Sequence, residues 1–166
     1  MNDNYLTDKF IFNFRGSMTQ PEFIFTPGLW LGEGKITFSA SQEFIKFYTR
    51  WHIIQESVDF IRAVQIVEML GIEEPVTNTF AFYNIHPHSF KISFENEFAG
   101  KVNGKGLRQD NTVAWEFKGD NNFEGFEVYE KQDNGDYFLH AEYGSSNQFR
   151  TIIEGLIWYK GEVSNG

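Results

Sequence analysis

The chain has 166 residues, no cysteine, a formal net charge of −9 and an aromatic content of 18%. The length suits one domain with a real core, and the missing cysteine excludes disulfides, thiolate metal sites and a cysteine nucleophile. The acidic balance is a poor match to nucleic acid or an anionic membrane, and so many aromatics exclude wholesale disorder.

Residues 1–8 are polar and read as a frayed end. They lack the basic n-region of a signal peptide, and Ile11 to Phe14 is too short to be its apolar core. No stretch approaches the roughly 18 apolar residues of a spanning helix, so the expected location is the cytoplasm. Pro27 to Lys35 reads as a glycine-interrupted strand. In Glu43 to Glu56 one face carries Ile45, Phe47, Thr49, Trp51 and Ile53, and the other carries Phe44, Lys46, Tyr48, Arg50, His52 and Ile54. Ser57 to Leu70 has two readings. Ser57 and Gly71 would cap a helix, but Val58, Ile61, Val64, Ile66 and Val67 favour a strand pairing with Val76 to Ile85 across Gly71 to Pro75.

Beyond His86-Pro87-His88, read as a turn, Phe90, Ile92, Phe94 and Phe98 share one strand face. Asn103-Gly104 and Asn134-Gly135 are two-residue hairpin signals, since both residue types tolerate positive φ. Gln109 to Asn111 and Lys118 to Asn122 read as turns. Val113, Trp115 and Phe117 alternate with Ala114, Glu116 and Lys118, and Phe123 to Glu130 reads as an amphipathic strand bent at a glycine. Tyr137, Leu139, Ala141 and Tyr143 alternate in turn, and Phe149 to Lys160 forms the last strand. Residues 161–166 read as frayed. The expectation is one all-β domain over 1–166: an antiparallel up-and-down barrel of about nine or ten strands with little helix.

Gly28-Leu29-Trp30, at the start of a glycine-interrupted strand, resembles the opening of calycin barrels: lipocalins, fatty-acid-binding proteins and nitrobindin-like haem proteins. The resemblance implies that Trp30 closes the narrow end and that Lys160, at the end of the last strand, packs over it. It implies an interior that holds a small ligand. Asn147 to Gly166 has no histidine where nitrobindin-like proteins place their haem ligand, and no cofactor is expected.

The candidate ligand residues come from strand faces that mix aromatics with charge: Tyr48, Arg50, His52, Arg62, His140, Glu142, Arg150 and Trp158. Binding cavities are lined this way, mostly apolar with a few placed polar groups. An arginine there would hold a carboxylate by paired hydrogen bonds, and His52 or His140 beside Glu142 or Glu154 would move a proton. On a wet outer face the same mixture is ordinary, and the pattern alone does not choose. His86-Pro87-His88 lacks the carboxylate spacing of a cupin, the glycine pairs at 32/34 and 104/106 fit no phosphate loop, and neither Glu95-Asn96-Glu97 nor Asp120-Asn121-Asn122 has the spacing of a calcium loop, so no metal or nucleotide is expected.

The functional expectation is a small apolar or amphipathic ligand bound inside the barrel. The alternatives are a lyase or isomerase using His and Arg in the same cavity, and an interaction module, including a homodimer formed through an aromatic-rich face.

Overall fold

The computed structural model describes residues 20–118, 123–144 and 149–162. Its ten strands are β1 (Gly28–Phe38), β2 (Phe44–Ser57), β3 (Phe60–Met69), β4 (Val76–Tyr83), β5 (Ser89–Asn96), β6 (Gly100–Gln109), β7 (Thr112–Lys118), β8 (Glu124–Lys131), β9 (Tyr137–Gly144) and β10 (Arg150–Gly161). Each pairs antiparallel with its sequence neighbours, and β10 returns to pair with β1. The sheet is thus a closed up-and-down barrel, with no helix among the described residues.

The stretch with two readings, 57–70, resolves as strand. Ser57 ends β2, Val58 and Asp59 form the β2–β3 connection, with Val58 exposed, and β3 pairs β4 from Phe60↔Tyr83 to Val67↔Val76. The β-branched residues then stand on a pleated surface that suits their restricted χ1. Gly71, at φ 90°, makes the turn between the two strands.

The hairpin expected at Asn103-Gly104 does not occur. Both residues lie inside β6, paired with β5 through Ser93↔Asn103 and Ile92↔Gly104. The reversal comes earlier, over 97–99, with Gly100 at φ 65°. Asn96 explains the shift, because its Oδ1 accepts the backbone N–H groups of Phe98 (3.0 Å) and Ala99 (2.7 Å). Phe98 is consequently 80% exposed rather than sharing the inner face with Phe94. Asn134-Gly135 does form a turn, with Gly135 at φ 90°. The expected turn at Lys118 to Asn122 and the candidate calcium stretch Asp120 to Asn122 lie outside the described residues beyond Lys118. Of the expected frayed ends, 1–8 and 163–166 also lie outside them, while Gly161 is the last residue of β10.

One barrel end is filled by the segment 20–27, which turns inward before β1. Phe23 and Ile24 are fully buried. The Phe23 ring lies 5.2 Å from Trp30, 5.3 Å from Trp51 and 4.5 Å from Tyr129. The turn is tied by Phe25 N–H and Thr26 N–H donating to the Glu22 carbonyl, by Glu22 N–H donating to Thr26 Oγ1, and by Trp30 Nε1 donating to the Thr26 carbonyl. Ile24 is held at φ 58°, a conformation costing of order 1–3 kcal/mol for a β-branched residue and sustained only by surrounding contacts.

Trp30 is fully buried at this end, but Lys160 is exposed. The register steps from Leu29↔Gly161 to Trp30↔Tyr159, so Lys160 is the extra residue of a bulge. Tyr159 takes the position over Trp30, its ring 5.0 Å away. The cation that covers the closed end belongs to β6. Arg108 donates from Nε and Nη2 to the two carboxylate oxygens of Glu22 (2.7 and 2.6 Å) and lies 3.9 Å above the Phe25 ring.

Candidate functional site

Alternation along the strands decides which residues face inward. On β2, Phe47, Thr49, Trp51 and Ile53 are buried, while Tyr48 and Arg50 are exposed and His52 is half-buried. The candidate ligand residues all fall on the outer wall. Arg50 pairs with Glu68 at 3.2 Å and Arg62 with Glu56 at 3.4 Å. His140 lies between Glu142 (3.3 Å) and Glu154 (3.4 Å), and Arg150 reaches Glu142 at 3.1 Å. Trp158 is half-buried and opposes Leu31, with its neighbours Ile157 and Tyr159 turned inward. The structure thus brings His140, Glu142 and Arg150 together, but outside the barrel, and leaves Tyr48, Arg50, His52, Arg62 and Trp158 apart from them. On β2 the inward face carries the rings of Phe47 and Trp51, but on β3 and β10 Phe60 and Trp158 stand on the outer face, so ring size alone does not choose the side.

The interior near Phe23 is packed with aromatic rings. Trp51 is wedged there between Phe23 and Phe80, its Nε1 buried without an acceptor among the described residues. Further along the axis lies a cavity of about 240 Å³. Its apolar lining includes Phe47, Val67, Phe80, Phe94, Leu139 and Ile153, together with the half-buried Met69, Val76 and Phe123. Polar groups enter it from two opposite walls.

The first wall is built on Glu127 of β8, which is 7% exposed. The register sets its partners. Trp115 of β7 is directly opposite, and its Nε1 donates to Oε2 at 3.0 Å. Tyr129, two residues on and hence on the same face, donates to Oε1 at 2.7 Å. The Tyr143 hydroxyl donates to Oε2 from β9, where Glu127 itself opposes only the small Ala141. Tyr143 pairs with Gly125, and a Cβ at 125 would run into the Tyr143 ring. Glycine there lets the ring lie across β8 and deliver its hydroxyl to the carboxylate.

Burial pushes the Glu127 carboxyl above the usual range, against the pull of its three donors. Burial, together with the charge of Glu127, drives the Tyr129 and Tyr143 hydroxyls well above theirs. Both phenols stay protonated and act as donors across the ordinary pH range.

The second wall is a chain of side-chain amides across β2 to β5. Asn96 Nδ2 donates to Asn78 Oδ1 (3.0 Å), Asn78 Nδ2 to Gln65 Oε1 (2.9 Å), and Gln65 Nε2 to Thr49 Oγ1 (3.1 Å). Every step runs in the same direction. Gln65, Asn78 and Asn96 line the cavity opposite Glu127.

The sequence pattern points to neither wall. The apolar residues of β8, Phe126 and Val128, suggest the inward face, yet Phe126 is exposed and Glu127 and Tyr129 are buried. The signal that could have found the first wall is Gly125-x-Glu127-x-Tyr129, a glycine, an acid and a phenol on one face. His86 and His88 lie in the β4–β5 connection, with His88 Nδ1 3.4 Å from the Arg108 carbonyl oxygen. Among the described residues no three His, Asp or Glu side chains converge to hold a metal ion, and no helix is long and apolar enough to cross a membrane.

The closed ten-strand barrel, entered by a Gly-x-Trp strand and completed by β10 against β1, defines a calycin-like fold. Solved structures that share it include the following two. The S-type phycobiliprotein lyase CPES from Guillardia theta is 12% identical with a TM-score of 0.66, the match covering 91% of this chain and 98% of that one. Rv2717c from M. tuberculosis is 9% identical with a TM-score of 0.65, covering 81% and 92%. No protein-family model and no curated protein sequence matches the chain.

Proposed function

We propose that the barrel binds a small, mostly apolar molecule in the cavity between Glu127 and the Gln65–Asn78–Asn96 amides. The observation that carries this reading is the cavity: apolar for most of its surface, with hydrogen-bonding groups held in place on two facing walls. That is the composition of a ligand site rather than of a packing fault, which would be lined by apolar groups alone. Its 240 Å³ lies below the ~300–1,000 Å³ typical of drug-sized ligands, which favours a molecule of one or two rings over a long lipid. The expected ligand remains apolar or amphipathic, but the residues proposed to hold it move from the outer wall to Glu127, Tyr143, Gln65 and Asn78. A lyase or isomerase built on His and Arg in this cavity is not the favoured reading, because no His or Arg lines it among the described residues.

Calorimetric titration with 2-naphthol tests the reading. Saturable one-site binding is expected, and the variant Val67→Trp, which fills the cavity from β3, is expected to abolish it. Absence of saturable binding to the unaltered protein, or full binding by a folded Val67→Trp variant, would sink the proposal.

A further inference from the structure

Resting on the cavity as a binding site, we infer that its ligand carries a protonated nitrogen, which Glu127 and the surrounding aromatic rings receive as a cation. Four observations lead there. First, all three partners of Glu127 are neutral donors, two phenols and an indole. They satisfy the carboxylate's hydrogen bonds without cancelling its charge. Second, among the described residues the cavity lining contains no carboxylate besides Glu127 and no Lys, Arg or His, so Glu127 meets no cation there. Third, the acceptor capacity is incomplete. Oε2 takes two donors, Trp115 and Tyr143, whereas Oε1 takes one, Tyr129. A carboxylate offers about four lone-pair sites, so one remains at Oε1 for an N–H donor. Fourth, Phe80, Phe94, Phe123 and Tyr143 line the same cavity, and aromatic faces attract cations.

The same features reject anions. A carboxylate ligand would bring a second negative charge into a site that already buries one. The groups facing Glu127 are Trp115 from β7, Tyr129 on its own strand and Tyr143 from β9, none of them a cation that would offset it. Burial raises the carboxyl of Glu127, and an arriving ammonium lowers it again, so the ligand supplies the counter-charge that the fold withholds. The amide chain on the opposite wall offers hydrogen bonds to any neutral polar group at the ligand's other end.

Three probes of similar size separate the cases: phenethylammonium, the neutral 2-phenylethanol and the anionic 3-phenylpropionate, titrated at pH 8 into the unaltered protein. Phenethylammonium is expected to bind at least tenfold tighter than 2-phenylethanol, with 3-phenylpropionate weakest. In Glu127→Gln the ammonium preference is expected to fall to within about twofold. Equal binding of the ammonium and the alcohol, or equal or tighter binding of the anion, overturns the inference while leaving cavity binding intact. So does a tenfold preference that survives in a folded Glu127→Gln protein. If none of the three binds and 2-naphthol does not either, both the inference and the proposed function fall. The three-probe series stands on the unaltered protein, whether or not the variant folds.

Discussion

Glu127 is a buried acid whose proton affinity in the folded chain exceeds that of an ordinary glutamate. A raised folded pKa makes its contribution to stability full below the unfolded value, and that contribution is lost as pH rises through the folded one. The melting-temperature advantage of the unaltered protein over Glu127→Gln should therefore be larger at pH 5 than at pH 8, and scanning calorimetry of the pair at both values checks this. A reversed trend would mean that the three donors outweigh burial. Gly125 gives a second expectation. Gly125→Ala pushes a methyl into the Tyr143 ring, and overpacking of this kind costs about 1–3 kcal/mol, read as a fall in the urea midpoint. These residues are hard to find in the sequence because buried polar groups disguise themselves. Glu127 alternates with Phe126 and Val128, and a rule that sends apolar residues inward points the strand the wrong way.

At the scale of elements, the segment 20–27 and the strand β6 act together. Arg108 ties the plug by a paired hydrogen bond to Glu22 and by its position over Phe25. Both partners are partly exposed, so Arg108→Ala should cost a modest amount, about 1–2 kcal/mol. Phe23→Ala should cost more, about 3–5 kcal/mol, because it empties a fully buried aromatic site. Chemical denaturation of the two variants ranks them, and an Arg108 effect equal to that of Phe23 would contradict this account. Most strands are legible in the sequence, since their period of two survives in Val113-Trp115-Phe117 and in Tyr137-Leu139-Ala141. Turn chemistry read without its surroundings misleads. Asn103-Gly104 has the residues of a tight turn, but Asn96 captures two backbone N–H groups before the chain reaches that pair and so fixes the reversal upstream. Lys160 is misplaced by the pattern for a related reason, since a bulge inverts the alternation beyond it and no composition signal announces one.

For the whole molecule, the outer wall and the interior have separate tasks. The Arg50–Glu68, Arg62–Glu56 and Arg150–Glu142 pairs are exposed on the arginine side, where such contacts contribute about 0–1 kcal/mol. Arg150→Ala should therefore leave both the thermal midpoint and 2-naphthol binding nearly unchanged, and a large loss of binding would return the site to the outer wall. The fold class is legible because strand number, short turns and a Gly-x-Trp opening agree with one another. The cavity is not, because it depends on which side of each strand faces the axis, and that is fixed only when all ten close together.

Closure has a consequence in time. β1 completes its pairing with β10 across a wide gap, as in the bond from Thr37 Oγ1 to the Ile152 carbonyl, 115 residues away. At ~5–20 residues per second of synthesis, β1 waits about 6–23 s on the ribosome for its second neighbour. Throughout that interval one of its edges is open to strands of other nascent chains. The final partner thus decides when the molecule stops being a template for its neighbours, and slowing translation ahead of β10 should raise the aggregated fraction without altering the folded product.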